Sequence, residues 1–299
     1  MDKVNSEVFL KVVETGSFQA AAKELGYTQA GISYIINAME DAVGLKLFTR
    51  VHEGVRLTAE GEALLPELRR INNSERLFAA RVSDLKNLET GSVSVRIFNS
   101  ISAYWIPDIV SSFSKKYPNV EIRLVSCDND ADAERMMYEQ DVDCGFLVLP
   151  LHTKLDTIFL RENPLVASVA LDHPMAAQET FPVSEICHYQ YIRMSYADDY
   201  YLSDLFRQAG GVPESKYAID NDYAALAMAA QGLGYCIFPE LIVRGTPFAL
   251  KHLPLDPPVV NQICIGAKSI RQSSKATQAF IDHVVAWSKL KEQIKQETA

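Results

Sequence analysis

The 299-residue chain has no apolar run of the ~18 residues needed to cross a bilayer. Its start, MDKVNSEVF, lacks the charged-then-apolar pattern of a signal peptide, so a cytoplasmic protein with no membrane contact is expected. Cysteine is scarce. Cys127, Cys144, Cys187, Cys236 and Cys264 are widely scattered and form no C-x-x-C, which argues against a zinc site or a disulfide framework. The six histidines (His52, His152, His173, His188, His252, His283) lack metal-ligand spacing. There is no G-x-S-x-G elbow, no Walker loop and no zinc-protease motif. Gly232-x-Gly234 lacks the third glycine of a dinucleotide fingerprint and precedes a strand pattern rather than a helix. No catalytic group, metal or cofactor is therefore expected. Positive charge is short as well. Twenty-nine Lys and Arg face 38 Asp and Glu, a net charge of −9, which taken alone argues weakly against a nucleic-acid binder.

What is present is enough apolar residue, 48%, for real cores, in a length that suits one large or two to three modest domains. Ser17 to Leu57 reads as two short helices, a tight turn and a hairpin. Ser17 can cap a helix carrying Ala20, Ala21, Ala22 and Leu25, and Gly26 ends it. Thr28 can cap the next, which puts Ile32, Ile35, Ile36, Met39 and Val43 on one buried face. Its other face shows Gln29, Gly31, Ser33, Tyr34 and Asn37. A short second helix with an uncharged polar face is the layout of a helix-turn-helix, whose second helix enters the major groove. Gly44 stops that helix, and Lys46 to Leu57 can form a wing turning at Gly54. Residues 1–57 hold six basic and seven acidic residues. Phosphate binding depends on where cations sit rather than on their sum, and Lys46, Arg50, His52 and Arg56 gather in and beside the wing.

These positions fall into one register: S-F-x-x-A-A-x-x-L from Ser17, T-Q-x-x-x-S-x-x-I from Thr28, M-E-x-x-x-G-x-x-L-F-x-R from Met39, and L-T-x-x-G from Leu57. The register resembles the DNA-binding domain of LysR-type transcriptional regulators. Two positions depart from it: Ala30 stands where the family usually has proline, and Glu53 where it has a second wing arginine, with Arg56 nearby. The resemblance implies that Gln29, Ser33, Tyr34 and Asn37 meet base edges, with Ala30 and Gly31 in the same DNA-facing set. Ser17, Thr28, Arg50 and Arg56 would hold phosphates of double-stranded promoter DNA.

Residues 2–14 read as a first helix with Val4, Val8, Phe9, Val12 and Val13 inward. Thr58 caps a long helix in which Leu64, Leu68, Ile71, Glu75, Phe78, Val82 and Leu85 alternate spacings of four and three. That is a heptad seam asking for a second copy, with packing on the chain's own C-terminal part as the rival reading. Pro66 removes one backbone donor from it. From Val93 the pattern becomes βαβαβ, implying a parallel sheet: strands at Val93–Ile97, Val120–Leu124 and Cys144–Leu149, helices at about 103–117 and 130–140. A similar series follows, and the strand near Ile263–Ala267 with the helix from about Ser274 to Leu290 returns to the first lobe. Crossing strands are expected near Phe159–Pro164 and Gln262–Lys268.

Asp143-x-Gly145-Phe146, His173-Pro174-Met175-Ala176 and Gly232-x-Gly234-x-x-x-Phe238-Pro239 resemble segments of the LysR effector domain, a relative of periplasmic binding proteins. The expected fold is thus α/β with an all-α N-terminal part. A winged helix-turn-helix (1–57) and a linker helix (58–90) for dimerisation precede an effector-binding domain (91–299). Its lobes cover about 91–161 with 266–299, and about 162–265.

Ligands of such folds sit at the carboxyl ends of strands. The strand-end rule singles out Ser100, Ile101, Ser102, Cys127, Asn129, Leu147 and Val148 in the first lobe, and Ser195, Tyr196 and Asn221 in the second. Hydroxyls and helix N–H groups near Ser100 can hold a carboxylate or other anion. Tyr104, Trp105, Tyr196, Tyr200 and Tyr201 either enclose a ring-bearing ligand or pack the lobes. The expected protein is a small-molecule-responsive regulator, dimeric through its long helix and tetrameric by the resemblance. A constitutive repressor with a vestigial cleft, or a small-molecule-processing domain with an accessory DNA-binding head, are the alternatives.

Overall fold

The computed structural model describes residues 5–52, 54–85, 91–195 and 200–297, with the backbone alone for 80, 83–85, 200, 201 and 294–297. The chain forms two compact units: Met1–Leu88 with Glu139–Asp141, and Glu89–Tyr138 with Val142–Ala299.

The first unit opens with α1 (Ser6–Thr15), α2 (Phe18–Leu25) and α3 (Gln29–Val43). The hairpin β1 (Phe48–Val51) and β2 (Gly54–Leu57) follows, then the long α4 (Ala59–Leu85). Side-chain oxygens close each of the first three helix starts, Asn5 accepting from the Val8 amide, Ser17 from Ala20 and Thr28 from Gly31. Thr58 does the same for Gly61 on α4, at 3.0 Å. Left-handed glycines at 16, 26 and 44 end the first three helices. Val8, Phe9, Val12, Ile32, Ile36 and Leu47 form a closed core beneath them. Residues 1–4, Val4 among them, lie outside the described residues, and α1 begins at Ser6.

The wing is tied back to the turn between α1 and α2, where the Val55 amide donates to the Gly16 carbonyl at 2.9 Å. That approach explains Gly54. Its φ is +118°, and a Cβ there would fall 2.3 Å from the Gly16 oxygen.

The heptad seam along α4 divides in two. Leu68 is buried in the core of this unit and Leu64 packs against it. Those two positions are therefore satisfied within the chain. Further along, Ile71 and Phe78 are exposed, Phe78 by 71%. The Leu85 side chain is outside the described residues.

The second unit begins with β3 (Gly91–Ile97), α5 (Asn99–Tyr104), α6 (Ile106–Lys116), β4 (Val120–Ser126), α7 (Asp130–Tyr138) and β5 (Cys144–Leu149). β3 lies between β4 and β5 and is parallel to both, as βαβ crossovers require. The single helix expected over 103–117 is two, broken at Trp105. The break turns this indole into the core against Phe146 and Trp287, leaving it 3% exposed.

The Asp143-x-Gly145 segment has a direct structural reason. One Asp143 oxygen accepts from both the amide and hydroxyl of Ser94, at 2.8 and 2.7 Å, fixing β5 to β3. Gly145 then passes over Arg96, whose Cβ would lie 2.7 Å from any Cβ at position 145.

The chain continues through β6 (Asp156–Ala170), two short 3-10 turns around β7 (Phe181–Pro182), β8 (Ile192–Met194), α8 (Tyr200–Gln208), β9 (Tyr217–Ile219) and α9 (Asp222–Ala230). It ends with β10 (Cys236–Pro239), α10 (Glu240–Val243), β11 (Leu250–Asp256), β12 (Val260–Ala267) and α11 (Lys275–Glu297). The second lobe does not repeat the first. β6 is one strand of 15 residues. Residues 156–164 pair antiparallel with β12. Residues 165–170 pair antiparallel with β10 and β11. The parallel pair β8–β9 forms a small sheet of its own. The sequence pattern concealed this because β6 reads as two runs interrupted by the polar Arg161-Glu162-Asn163, and β11 mixes Lys251, His252 and Pro254 with its apolar residues. The five cysteines are free.

Candidate functional site

Two surfaces carry chemistry, one in each unit. In the first, α3 buries Ile32, Ile36 and Met39 and turns Gln29, Ala30, Tyr34 and Asn37 outward, with Gly31 and Ser33 half-buried beside them. Tyr34 is 75% exposed, far more than a packed tyrosine. The oxygens of Ser17 and Thr28 accept helix amides, which leaves each hydroxyl proton available to an outside acceptor. Arg50 and Arg56 are both exposed. The hairpin register sets Arg50 opposite Val55 and Arg56 opposite Thr49, so the two guanidinium groups leave the ribbon on opposite faces. Lys46, expected to join this basic cluster, is drawn off by Glu40 at 2.6 Å.

Glu40 is the joint between α3 and the wing. It is 4% exposed, and one oxygen accepts from the amides of Leu47 and Phe48 at 2.8 and 3.1 Å. Burial pushes its pKa upward, but the hydrogen bonds from Lys46, Leu47 and Phe48 outweigh this and hold it below the ordinary carboxylate range.

In the second unit, a cavity of about 280 Å³ opens at the carboxyl ends of β3, β4 and β5 and is closed by the start of α9, the end of β10, α10 and β12. Phe98, Val148, Leu149, Pro150, Pro239 and Ile242 supply apolar wall. Asp128, Asp130, Glu134 and Asp222 supply carboxylates. Behind the wall lies Arg96, with no exposed surface. Its Nε donates to the Cys127 carbonyl at 2.8 Å and its Nη1 to that of Phe146 at 2.5 Å. Its Nη2 stands 3.6 Å from Asp130 and has no hydrogen-bond partner among the described residues. Burial pushes the Asp130 carboxyl above its usual range, Arg96 pulls it down, and Glu134 adds to the rise.

Residues 5–62 match the model of the bacterial regulatory helix-turn-helix protein, lysR family, and residues 86–289 match that of the LysR substrate binding domain. The chain belongs to the LysR family. The regulator is 29% identical over 284 residues to the uncharacterized HTH-type transcriptional regulator YvbU of Bacillus subtilis, spanning 92% of this chain and 95% of that one. Its fold is similar to CbnR complexed with target DNA, with a TM-score of 0.67 and 21% identity over 93% of this chain and 97% of that one. It is similar as well to the regulatory domain of Synechocystis PCC6803 CcmR in complex with 2-PG, with a TM-score of 0.61 and 21% identity over 67% of this chain and 98% of that one. It is a DNA-binding transcriptional regulator of the LysR type.

Of the cleft residues read from this regulator's sequence, Ser100, Asn129 and Val148 line the cavity. Leu147 does not, because strand neighbours alternate faces, and it is buried against Met137 and Cys264. Ile101 turns into the first-lobe core. The Ser102 hydroxyl donates to the Asn99 carbonyl, and the Cys127 thiol to that of Asn129. Asn221 caps α9 by accepting from Ala224, and the exposed Ser195 donates its amide to Ile219. Tyr196, with Asp198 and Asp199, lies outside the described residues, as do the side chains of Tyr200 and Tyr201. Of the aromatic residues, Trp105 follows the packing alternative and lies in the core, and the Tyr104 hydroxyl donates to the Arg244 carbonyl. Asp128, Asp130, Glu134 and Asp222 were missed. The usable signal was the dense acidic run Asp128-Asn129-Asp130-Ala131-Asp132-Ala133-Glu134. Asp130 and Glu134 there are one helical turn apart, on one face.

Proposed function

We propose that this regulator reads a duplex sequence with the exposed face of α3, and that a small molecule in the second-unit cavity sets its activity. The single observation that carries the DNA reading is the outward, uncharged hydrogen-bonding surface of Gln29, Tyr34 and Asn37 over the buried Ile32 and Ile36. Gln29 follows the Thr28 cap, at the end of the helix that enters a major groove first, where a glutamine amide pairs bidentately with adenine. Ser17, Thr28, Arg50 and Arg56 hold phosphates and fix the register without reading sequence. Ala30 and Gly31 keep the helix start small enough for close approach. In the effector half, Ser100, Asn129 and Val148 contact the ligand.

The exposed Ile71 and Phe78 extend the seam of α4 beyond the part used internally, and they pair with a second copy. The working species is a homodimer, assembling further to a tetramer, in the cytoplasm. No helix among the described residues is long and apolar enough to cross a membrane. The chain is not an enzyme. CbnR bound to target DNA and CcmR bound to 2-PG support the pairing of DNA and small-molecule sites in one chain.

The test is binding to a duplex selected from a random pool, followed by fluorescence anisotropy across salt concentrations. Arg50→Ala is expected to weaken selected and random duplexes alike, with the slope of log K against log salt falling by about 1. Gln29→Ala is expected to lose ~1–3 kcal/mol of discrimination and leave binding to random DNA unchanged. Equal losses on both duplexes for Gln29→Ala would remove it from the base-reading set.

A further inference from the structure

We propose that α7 is a lever carrying the state of the cavity to α4, the helix that packs into the DNA-reading core, through a three-residue turn gripped by α4. This rests on the effector-cleft reading above and names the route by which that site regulates.

The near end of α7 lies at the cavity, which is lined by Asn129, Asp130, Ala131 and Glu134. The far end, Tyr138, runs directly into Glu139–Asp141. These three residues belong to the first unit, although α7 and β5 on either side of them belong to the second. Their partner is α4. Asn73 Nδ2 donates to the Glu139 carbonyl at 2.9 Å and to the Asp141 carboxylate at 3.0 Å. Arg76 donates to the Gln140 carbonyl at 2.9 Å, and Arg69 to the Asp141 carboxylate at 3.1 Å. Every residue of the turn is thus held. Positions 69, 73 and 76 are spaced by four and three, so one face of α4 makes the whole grip. Just before them, Leu64 and Leu68 pack into the core shared with Ile32 and Ile36 of α3. A displacement imposed on the turn is therefore delivered to the helix on which that core rests.

The gripped turn is under strain. Gln140 has φ +63° and is the one non-glycine residue in the left-handed region among the described residues. A glutamine persists there only when its surroundings hold it, and it relaxes to an ordinary backbone when they let go. Asn73 is 7% exposed, and a buried amide with its bonds made favours a single arrangement over intermediate ones. The turn is thus suited to two positions, held and released, rather than to gradual bending.

α7 can move as one body. Its nine residues span about 13 Å, and Ala133 and Met137 are buried on one face with Leu147 and Cys264. Its start has slack. Arg96 donates to the Cys127 carbonyl at 2.8 Å, just before the helix, but its Nη2 stops 3.6 Å from Asp130. Closing that gap to a hydrogen bond moves the first turn of α7 by roughly 0.7 Å. A ligand bearing on Asp130 or Ala131 supplies the push, and the turn at 139–141 receives it.

The experiment is hydrogen exchange read by mass spectrometry on the full-length protein, with a side chain standing in for the unidentified ligand. Ala131→Trp places an indole at the cavity from an exposed position on α7. Asp130→Asn, which weakens the pull of Arg96, is the second probe. At least one of them is expected to change exchange across residues 69–76 of α4 by about threefold or more. With Asn73→Ala and Arg69→Gln in the background, the same probe is expected to leave 69–76 unchanged. A response at 69–76 that survives loss of the grip overturns the lever, and so does silence of that segment to both probes. Neither result bears on the effector reading, which fails separately if Ser100→Trp, filling the cavity, regulates a reporter as the parent does.

Discussion

Replacing Trp105 by alanine is expected to cost about 4 kcal/mol, the usual cost of deleting a large aromatic from a packed core. The indole is 3% exposed and meets Phe146 at 6.2 Å and Trp287 at 5.5 Å between ring centroids. Trp287 is itself fastened, its Nε1 donating to Asp108 at 2.9 Å. Removing Trp105 therefore opens a hole that α5, α6 and α11 share, and takes away the ring over which the Arg161 guanidinium lies, 5.7 Å from its centroid. Thermal unfolding of the second unit should move down by roughly 10 °C for that loss in a unit of this size. Trp105→Phe should recover more than half of it. If the indole instead lined the ligand cavity, the alanine variant would weaken ligand binding while its melting temperature stayed within a degree or two of the parent. Calorimetric melting with and without ligand separates these outcomes.

Glu40→Ala is expected to cost about 3 kcal/mol of first-unit stability, because it leaves the Leu47 and Phe48 amides without their shared acceptor in a buried place. The same change frees the wing from α3, so affinity for every duplex should fall. Glu40→Gln keeps one acceptor oxygen and should lie between the parent and the alanine variant. The pH dependence has a definite sign. The folded-state pKa of Glu40 lies below its ordinary value of 4.5. The stability contributed by its ionised form is therefore complete above that value and is lost as pH falls through the lower folded-state value. Chemical denaturation at pH 7 and at pH 3 should show Glu40→Gln closing the gap to the parent at the lower pH. A constant gap across that range would remove the carboxylate charge from the account.

The sequence was most legible where geometry is local. Caps at Ser17, Thr28 and Thr58 and stops at Gly26 and Gly44 involve partners three to five residues away, and they are found as read. The role of Glu40 was not legible. A carboxylate on an amphipathic helix reads as solvated, and its amide partners lie seven and eight residues further on, across a turn. The strand-end rule located the cavity but could not say which of two neighbours faces it. Val148 lines it and Leu147 does not; Ser100 lines it and Ile101 does not. The acidic run at 128–134 was visible from the start. What no local pattern announces is that this run lines a cavity closed from the far side by Asp222, Pro239 and Ile242.

The two halves of the ligand-binding unit are threaded on one unbroken backbone, since the 15 residues from Asp156 to Ala170 serve one sheet partner in their first part and two others in their second. Such a rod resists sliding and stretching, because either would strip ladder bonds along its whole length. It yields to torsion. Were the proposed ligand to draw the two cavity walls together, it would have to wind this rod about its own axis, and the message leaving the pocket would be an angle bounded by how far a paired strand can twist before its rungs break.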